Sequence, residues 1–237
     1  MKTHLLYLLL ICAVTIAASC SGGTGENKYV TYTTTPSKLK MWMRNDAGRN
    51  IDSISGLIRY VELRGETLRF ATNGGMYEPD GSPVGLYIEK GRQLSPLNTS
   101  AGKGNFYLQP NGVFYITTNN KAGIRPTKTF SESNIKYATQ SGPMLVIDGR
   151  LHPAFTEGSS NLQIRNGVGI LPDGKILFAM SKEPVSLYDF ANFFRNNSCK
   201  NAVYLDGFVS RTYLPADNWI QTDGNFGVII GVTEKEQ

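Results

Sequence analysis

The chain has 237 residues, of which 41% are hydrophobic and 18% charged, and its formal net charge at pH 7 is +5. These proportions fit a folded protein and exclude wholesale disorder, and no run of lysine and arginine is long enough to predict nucleic-acid binding. The chain has only two histidines, His4 and His152. Because His4 lies in the leader described next, the folded part cannot build a metal site from several histidines.

The first segment predicts export and attachment to a membrane. Lys2 supplies a positive start, and residues 5–18 form an uncharged apolar run that is short for a membrane span but typical of a signal peptide. The run leads into Ala17-Ala18-Ser19-Cys20, and small residues before a cysteine resemble the cleavage site of bacterial lipoproteins, in which that cysteine carries the lipid. We therefore predict that Cys20 is lipidated and that the domain lies in the cell envelope, outside the cytoplasm. The alternative is a plain secretory signal in which Cys20 is incidental.

The domain organisation follows from the same segment. We predict a signal peptide in residues 1–19, a flexible tether rich in glycine and serine in residues 20–29, and one domain in residues 30–237. From Lys28 onward no linker, repeat or change of composition divides the chain. Cys199 is the one cysteine of the domain, so we expect no disulfide within it and a core that stabilises the fold alone.

The first predicted helix lies early in the domain. Apolar residues at helical spacing (Ile54, Leu57, Ile58 and Val61) predict a helix that begins after Asp52 or Ser53 and ends before Gly65. An apolar strand that ends at Thr72 follows it and leads into Asn73-Gly74-Gly75.

Three turns then predict antiparallel hairpins, because Asn-Gly and Asp-Gly tolerate the positive φ of tight turns. They are Pro110-Asn111-Gly112, Asp148-Gly149 and Pro172-Asp173-Gly174, each next to apolar runs. A second helix is predicted from Ser186, with Asp189 completing a capping box, to Asn196-Asn197. The short strand 202–205 follows and delivers Asp206. The pattern predicts an α+β fold, a single domain of mostly antiparallel or mixed β-sheet with a few helices.

Three segments are candidates for chemistry. The glycines of Asn73-Gly74-Gly75 allow close approach of the backbone to a ligand and expose N–H groups that suit an anion. Arg165 precedes the glycine-containing strand 168–171, and a guanidinium suits a phosphate or carboxylate. Asp206, Gly207 and Ser210 follow the strand 202–205. Taken singly, each has a plain alternative: an ordinary turn for the first and third, and a solvent-exposed arginine at a strand entry for Arg165.

Together, these segments resemble the phosphodiester glycosidase domain family. That family has Asn-Gly-Gly after a strand, a glycine-containing apolar strand that ends in Asp-Gly, an arginine before a Val-Gly-Ile strand, and an amphipathic helix leading to Leu-Asp-Gly-Gly-Gly-Ser. The counterparts here, from about Leu68 to Val232, are Asn73-Gly74-Gly75, the segment 141–149, the segment 165–170 and the segment 186–210. The similarity is greater to a bacterial subgroup of envelope proteins, which shares the segments 75–86, 96–106 and 229–232.

The resemblance implies a glycosidase that hydrolyses a sugar-1-phosphodiester, similar to an N-acetylglucosamine-1-phosphodiester, in an envelope glycan or a lipid-linked polymer. It implies Asp206, Arg165 and Asn73 as catalytic residues, and no cofactor or metal. The substrate contacts it suggests are Gly74, Gly75, Glu78, Gly142, Gly207 and Ser210. The implied partners are a carbohydrate phosphodiester and, through the lipid, a membrane.

One departure from the family pattern keeps a second function open. Where the enzymes have Gly-Gly-Gly-Ser after Leu-Asp, this chain has Gly207-Phe208-Val209-Ser210. The bulk of Phe208 and Val209 favours a different substrate geometry, so the alternative is a non-catalytic lipoprotein that binds a glycan or sugar phosphate. A phosphodiesterase that cuts P–O bonds is disfavoured, since such enzymes commonly use metal clusters. For Cys199 and His152 we expect structural roles.

Overall fold

The computed structural model describes residues 28–235, with Phe208 described by its backbone alone. The predicted signal peptide, Cys20 and most of the predicted tether lie outside these residues, and Tyr29 already belongs to the first strand. Two helices, α1 (Ile54–Glu62) and α2 (Leu187–Asn196), accompany the strands. The strands are β1 Tyr29–Thr34, β2 Leu39–Trp42, β3 Glu66–Asn73, β4 Tyr87–Glu89, β5 Arg92–Ser95, β6 Gly112–Thr117, β7 Ala122–Pro126, β8 Ile135–Ser141, β9 Met144–Ile147, β10 Arg150–Leu151, β11 Asn166–Ile170, β12 Ile176–Ser181, β13 Ala202–Tyr204, β14 Thr212–Leu214, β15 Trp219–Ile220 and β16 Ile229–Lys235.

The strands form three sheets, and every strand pairing within residues 28–235 is antiparallel. The first sheet has the order β1-β12-β11-β13-β9-β10, the second β15-β14-β3-β16-β2, and the third β5-β4-β8-β6-β7. The predicted α+β class is therefore confirmed, and the sheets are antiparallel rather than mixed.

The core lies where the inner faces of the three sheets meet. Phe178 of the first sheet packs against Phe70 of the second, with 5.0 Å between ring centroids, and against Phe114 of the third, at 6.1 Å. All three rings are buried. Burial of such large apolar side chains is the main favourable term in folding, so this contact holds the three sheets together.

The two helices cover the outer faces of two sheets, as their apolar spacing predicts. In α1, Ile54, Leu57 and Val61 are buried against the second sheet. Its N-cap is Ser53, whose hydroxyl accepts from the N–H of Gly56 at 3.1 Å, so the choice between Asp52 and Ser53 is decided for serine. In the same way Phe190 and Phe194 of α2 pack on the first sheet.

The capping box of α2 is confirmed with one change of detail. The Ser186 hydroxyl accepts from the N–H of Asp189 at 3.0 Å and donates to the Asp189 carboxylate at 2.7 Å. The carboxylate therefore caps the serine side chain instead of reaching its backbone N–H. Both interactions place α2 directly after residue 186, as predicted.

Two of the three predicted hairpins are confirmed. Asp148 and Gly149, both at positive φ, join β9 to β10, and Gly174 at φ +80° closes the turn between β11 and β12. The hairpin at residues 110–112 is wrong, because Asn105–Tyr107 is a 3-10 helix and β6 pairs with β7 and β8 instead. The reason is local. The side-chain amide of Asn111 is buried and donates to the carbonyl of Phe106 at 2.8 Å, so the chain between these two residues folds back on itself.

Candidate active site

The predicted site segments converge where β3 and β13 end, at the junction of the sheets. Asn73 is buried, and its side-chain amide donates to the carbonyl of Asp206 at 2.9 Å. The N–H of Asp206 in turn donates to the carbonyl of Gly74 at 3.3 Å. Two segments 133 residues apart are thus joined by two hydrogen bonds, which fix the backbone of Asp206 while its side chain stays partly exposed.

Asn166, which the sequence analysis did not select, is the centre of this network. Its side-chain N–H group donates to the amide oxygen of Asn73 at 2.9 Å, and its own amide oxygen lies 3.1 Å from the donating hydroxyl of Ser210. The Asn73 oxygen also accepts from the N–H of Arg211 at 3.0 Å. A buried asparagine that satisfies both ends of its amide specifies one arrangement of the surrounding chains. Its position directly after Arg165 was the only sequence signal that pointed to it.

The glycines after Asn73 serve packing between sheets. The N–H of Gly74 donates to the carbonyl of Val228 at 2.7 Å, and that of Gly75 donates to the Thr139 hydroxyl at 3.2 Å. The expectation that these N–H groups are exposed for an anion is therefore wrong. The two residues are glycine because a Cβ on Gly74 would lie 2.8 Å from the Val228 side chain, and one on Gly75 would lie 2.3 Å from the carbonyl oxygen of Gln140.

Arg165 is buried, with 1% of its surface exposed, which excludes the solvent-exposed arginine considered above. Its Nε donates to the carbonyl of Val185 at 2.8 Å and its Nη2 to the carbonyl of Asn161 at 2.8 Å. Its Nη1 donates to the Tyr204 hydroxyl at 3.3 Å. A guanidinium has five N–H donors, so these three bonds leave two without an acceptor among residues 28–235. No carboxylate of that part of the chain forms an ion pair with Arg165.

Arg165 forms part of the wall of a cavity of about 220 Å³. The other walls come from the 3-10 helix at residues 105–107, the loop before β11 and the start of α2. The lining includes Asn105, Phe155, Ser159, Asn161 and Tyr188. The cavity offers polar groups and aromatic rings around one buried cation. A second cavity, of about 320 Å³, borders the Asp206 turn, and Gly207, Ser210 and Trp219 are among the residues that line it.

Tyr204 binds Arg165 and is close enough to Asp206 to be affected by its charge. Burial raises the pKa of its phenol above the ordinary value of 10.0; the nearby Arg165 opposes this effect and the charge of Asp206 adds to it. Burial likewise raises the pKa of Tyr77, and Asp206 again adds to the shift. Both phenols therefore stay protonated at neutral pH, one on each of two segments that approach the Asp206 carboxylate.

The remaining predicted substrate contacts, Gly142, Ser210 and Glu78, differ in burial. Gly142 is buried, and a Cβ on it would lie 2.5 Å from that of Asn111. Ser210 is buried, and its hydroxyl also approaches the carbonyl of Gly207 at 3.0 Å. Glu78 is exposed in the turn that Gly81 closes, where the N–H of Gly81 donates to the Glu78 carbonyl. The structure thus brings Asn73, Gly74, Asp206, Gly207 and Ser210 together, and it leaves the Glu78 side chain on the surface.

The two residues expected to be structural are both buried. Burial raises the pKa of the Cys199 thiol to about 12, so the thiol is not ionised at neutral pH. His152 stacks on Phe155 at 4.8 Å between centroids, and burial lowers its pKa below 6.5. Since Phe155 lines the Arg165 cavity, the histidine supports one of its walls.

A larger groove, of about 920 Å³, lies between β1 and α2 and contains none of the predicted site residues. Its one lysine, Lys28, forms an ion pair with Glu183 at 3.0 Å. The smaller Arg165 cavity is the better candidate for an anionic ligand because its cation has no ion-pair partner within the described part of the chain. Within that same part, no helix has the length and apolar character needed to cross a membrane.

Comparison with known proteins relates this arrangement to a family. The solved structures similar to the chain include two proteins whose sequence identities are so low that they show the fold alone. One is the catalytic domain of zebrafish N-acetylglucosamine-1-phosphodiester α-N-acetylglucosaminidase, auto-inhibited by its pro-peptide, with a TM-score of 0.60, 13% identity, and coverage of 90% of this chain and 85% of that one. The other is a Burkholderia pseudomallei protein described as exported, with a TM-score of 0.55, 12% identity, and coverage of 86% and 73%.

The sequence comparisons go further. The chain is 34% identical over 219 residues to the uncharacterised protein YigE of Escherichia coli (strain K12), covering 90% of this chain and 85% of YigE. The model of the phosphodiester glycosidase family matches residues 66–232, a span that contains Asn73, Arg165, Asn166 and Asp206. On this match over most of its length, the chain belongs to the phosphodiester glycosidase family.

Proposed function

We propose that this protein hydrolyses a sugar-1-phosphodiester, similar to an N-acetylglucosamine-1-phosphodiester, in an envelope glycan or a lipid-linked polymer. Membership of the family supports a glycosidase. The name of the zebrafish relative supports a phosphodiester as the substrate class. The observation that carries the proposal is the state of Arg165, a buried guanidinium in the wall of a cavity. Two of its N–H donors have no acceptor and its charge has no ion-pair partner within the described part of the chain, so both can serve an anion.

Burial without a counter-ion is costly for a guanidinium, which is the reason why buried charges in proteins are paired. In Arg165, two carbonyls and a phenol compensate part of this cost, and a bound phosphate would supply the missing negative charge with bidentate geometry. Tyr204 binds Arg165, and the charge of Asp206 acts on the same phenol. In the proposal, Arg165 holds the phosphate and Asp206 acts on the anomeric carbon.

In the proposed reaction, the bond between the anomeric carbon and the bridging oxygen breaks, and its electron pair leaves with the phosphate. Asp206 either attacks the anomeric carbon, with water later displacing it, or takes the proton of the attacking water. In both routes the water oxygen becomes the new anomeric hydroxyl. The departing phosphomonoester has a second pKa of about 6, so a strong acid is not needed and the cation stabilises the leaving group instead.

The test uses UDP-N-acetylglucosamine and synthetic N-acetylglucosamine-1-phosphodiesters in water enriched in heavy oxygen. We expect mass spectrometry to find the heavy atom in the released sugar. Heavy oxygen in the phosphate would mean P–O cleavage and would contradict the proposal.

Asp206→Asn tests the role of the carboxylate. It keeps the shape of the side chain but removes the charge that stabilises a developing oxocarbenium ion or activates water. Loss of a general base costs about a hundredfold to ten-thousandfold in rate, so we expect kcat to fall by that factor. The matched control is Asp217→Asn, an exposed aspartate in another turn, which we expect to leave kcat unchanged. Normal turnover by Asp206→Asn would exclude Asp206 from the chemistry.

The alternative of a glycan-binding protein has its own outcome in the same assays. A wild-type protein that binds sugar phosphodiesters and never cleaves them would favour it. Glycine at positions 208 and 209 would then be the next variant, because these are the positions at which the chain departs from the enzymes. Recovery of hydrolysis would identify Phe208 and Val209 as the cause of its absence.

For location, we propose an extracytoplasmic protein held to a membrane by a lipid on Cys20. The support is the Ala17-Ala18-Ser19-Cys20 sequence after an apolar run. The description of the Burkholderia relative as exported agrees with export.

A further inference from the structure

Tyr204, the last residue of β13, contacts both of the segments that carry the proposed chemistry. It is buried, with 2% of its surface exposed. Its hydroxyl oxygen accepts the hydrogen bond from Nη1 of Arg165 at 3.3 Å, and the guanidinium carbon lies 5.6 Å from the centre of its ring. The tyrosine thus provides one of the three acceptors that fix the orientation of the guanidinium.

The same hydroxyl touches the Asp206 turn. A Cβ on Gly207 would lie 1.4 Å from the Tyr204 hydroxyl oxygen, so the oxygen occupies the space that any other residue would need for its side chain. The Gly207 backbone is therefore in direct contact with the phenol, and its position depends on where the phenol lies. The position of Tyr204 is itself fixed, since its N–H donates to the carbonyl of Pro143 at 3.0 Å.

We propose that Tyr204 is a positioning residue that sets the geometry of Arg165 relative to the Asp206 turn. Its hydroxyl orients the guanidinium by accepting from Nη1 and supports the backbone of Gly207 by contact. Only the catalytic consequence of this inference rests on the proposed function. That consequence is that Tyr204 keeps a constant separation between Arg165, which holds the phosphate, and the Asp206 carboxylate, which acts on the anomeric carbon. The orientation of Arg165 by the phenol stands without it.

The hydroxyl, rather than the ring, carries this role. Phenylalanine would keep the ring over the guanidinium but remove the acceptor of Nη1 and the atom beside Gly207. Arg165 would then keep only the carbonyls of Val185 and Asn161, and the guanidinium would gain freedom on its Nη1 side. In the wild type the pKa of the phenol lies above 10.0, so its acceptor role does not change near neutral pH.

The first experiment measures Arg165 directly and needs no substrate. The nitrogen-15 NMR signal of its Nε–H group is assigned by its loss in Arg165→Lys. We expect a sharp, slowly exchanging signal in the wild type and a shifted or broadened one in Tyr204→Phe. The matched control is Tyr115→Phe, which removes the hydroxyl of another buried tyrosine, bound to Glu132 at 3.1 Å in the third sheet. An Arg165 signal that is the same in Tyr204→Phe and wild type would overturn the proposal.

The second experiment measures catalysis with N-acetylglucosamine-1-phosphodiesters. Because a small displacement of a catalytic group costs on the order of a hundredfold in rate, we expect kcat of Tyr204→Phe to fall by about that factor while KM changes little. Tyr115→Phe should keep the wild-type kcat. A Tyr204→Phe protein with normal kcat would refute the catalytic consequence. A wild type without any hydrolysis would refute the proposed function, and the NMR result would still decide the positioning role.

A second variant covers the case in which Tyr204→Phe does not fold. Gly207→Ala keeps the hydroxyl but forces it away from the turn, because the added Cβ cannot share its space. We expect the same change in the Arg165 signal and the same fall in kcat. An unchanged signal in a folded Gly207→Ala protein would count against the proposal as strongly as one in Tyr204→Phe.

Discussion

At the scale of single residues, the candidate site is built from polar groups whose hydrogen bonds are almost all made inside the protein. Asn73, Asn166 and Ser210 satisfy one another, and each is buried. Such a network is stable only when all its members are satisfied, because an unpaired polar group in the interior is costly. Arg165 is the exception, because two of its N–H donors have no acceptor in the described part of the chain, and in the proposed function a phosphate binds there.

Arg165→Lys tests this interpretation. Lysine keeps the charge but loses the planar fork that matches a phosphate. Hydrogen bonds to charged groups contribute about 1.5–3 kcal/mol each, so loss of one bond to the phosphate should raise the Kd for N-acetylglucosamine-1-phosphate roughly tenfold to a hundredfold. Isothermal titration calorimetry measures the change.

The control for this prediction is Arg92→Lys, at an exposed arginine of β5, for which we expect the wild-type Kd. Because Arg165 also bonds two carbonyls of the protein, we expect Arg165→Lys to unfold at a lower temperature as well. A variant that loses stability and binds the sugar phosphate normally would mean that Arg165 has only a structural role.

At the scale of elements, the strand β3 connects the core to the site. Its pairing with β14 and β16 places it inside the second sheet, and Gly74 and Gly75 carry the chain from its end across to β8 of the third sheet. The crossing is close because both residues lack a side chain. The same segment bonds Asp206, so an element that the sequence marks as a strand and a turn determines where a carboxylate more than 130 residues away is held.

Gly75→Ala tests the closeness of the crossing. The added Cβ would lie 2.3 Å from the Gln140 carbonyl oxygen, a backbone atom that cannot rotate away. Overpacking of this kind costs about 1–3 kcal/mol, so we expect the free energy of unfolding, measured in urea, to fall by that amount. Gly48→Asn is the control: Gly48 has φ +76° with open space around it, and asparagine tolerates that conformation. Equal stability of Gly75→Ala and wild type would show that β3 and β8 can separate without cost.

At the scale of the whole molecule, three antiparallel sheets share one core and two helices close the outer faces of two of them. The site lies where the first and second sheets meet, so its residues come from distant parts of the chain: β3, the segment before β11 and the end of β13. Such an arrangement makes the geometry of the site depend on the packing of the entire domain.

Cys20→Ala tests the proposed attachment of the molecule to a membrane. Without the thiol no lipid can be added, so we expect the variant to move from the membrane fraction to the soluble fraction on cell fractionation and immunoblotting. Cys199→Ala is the control, because Cys199 is buried in the domain and carries no lipid in this proposal. A wild-type protein that is soluble and retains its first nineteen residues would contradict lipidation.

Much of the fold was determined by local sequence. The bounds of α1 and α2, the turns at Asp148-Gly149 and Pro172-Asp173-Gly174, and the strand before Asp206 follow from apolar spacing, caps and positive-φ residues, which act over a few neighbours. The prediction of a hairpin at residues 110–112 failed because the buried side-chain amide of Asn111 donates back to the carbonyl of Phe106, a local bond that the turn pattern did not indicate.

The site was only partly determined by sequence. The resemblance selected Asn73, Arg165 and Asp206, but the burial of Arg165, the internal bonding of the Gly74 and Gly75 N–H groups, and the roles of Asn166 and Tyr204 depended on the tertiary structure. The physical reason is that whether a donor is free depends on which acceptors lie within about 3 Å of it. Most of those acceptors lie at least 20 residues away in the chain, so only the tertiary structure brings them there.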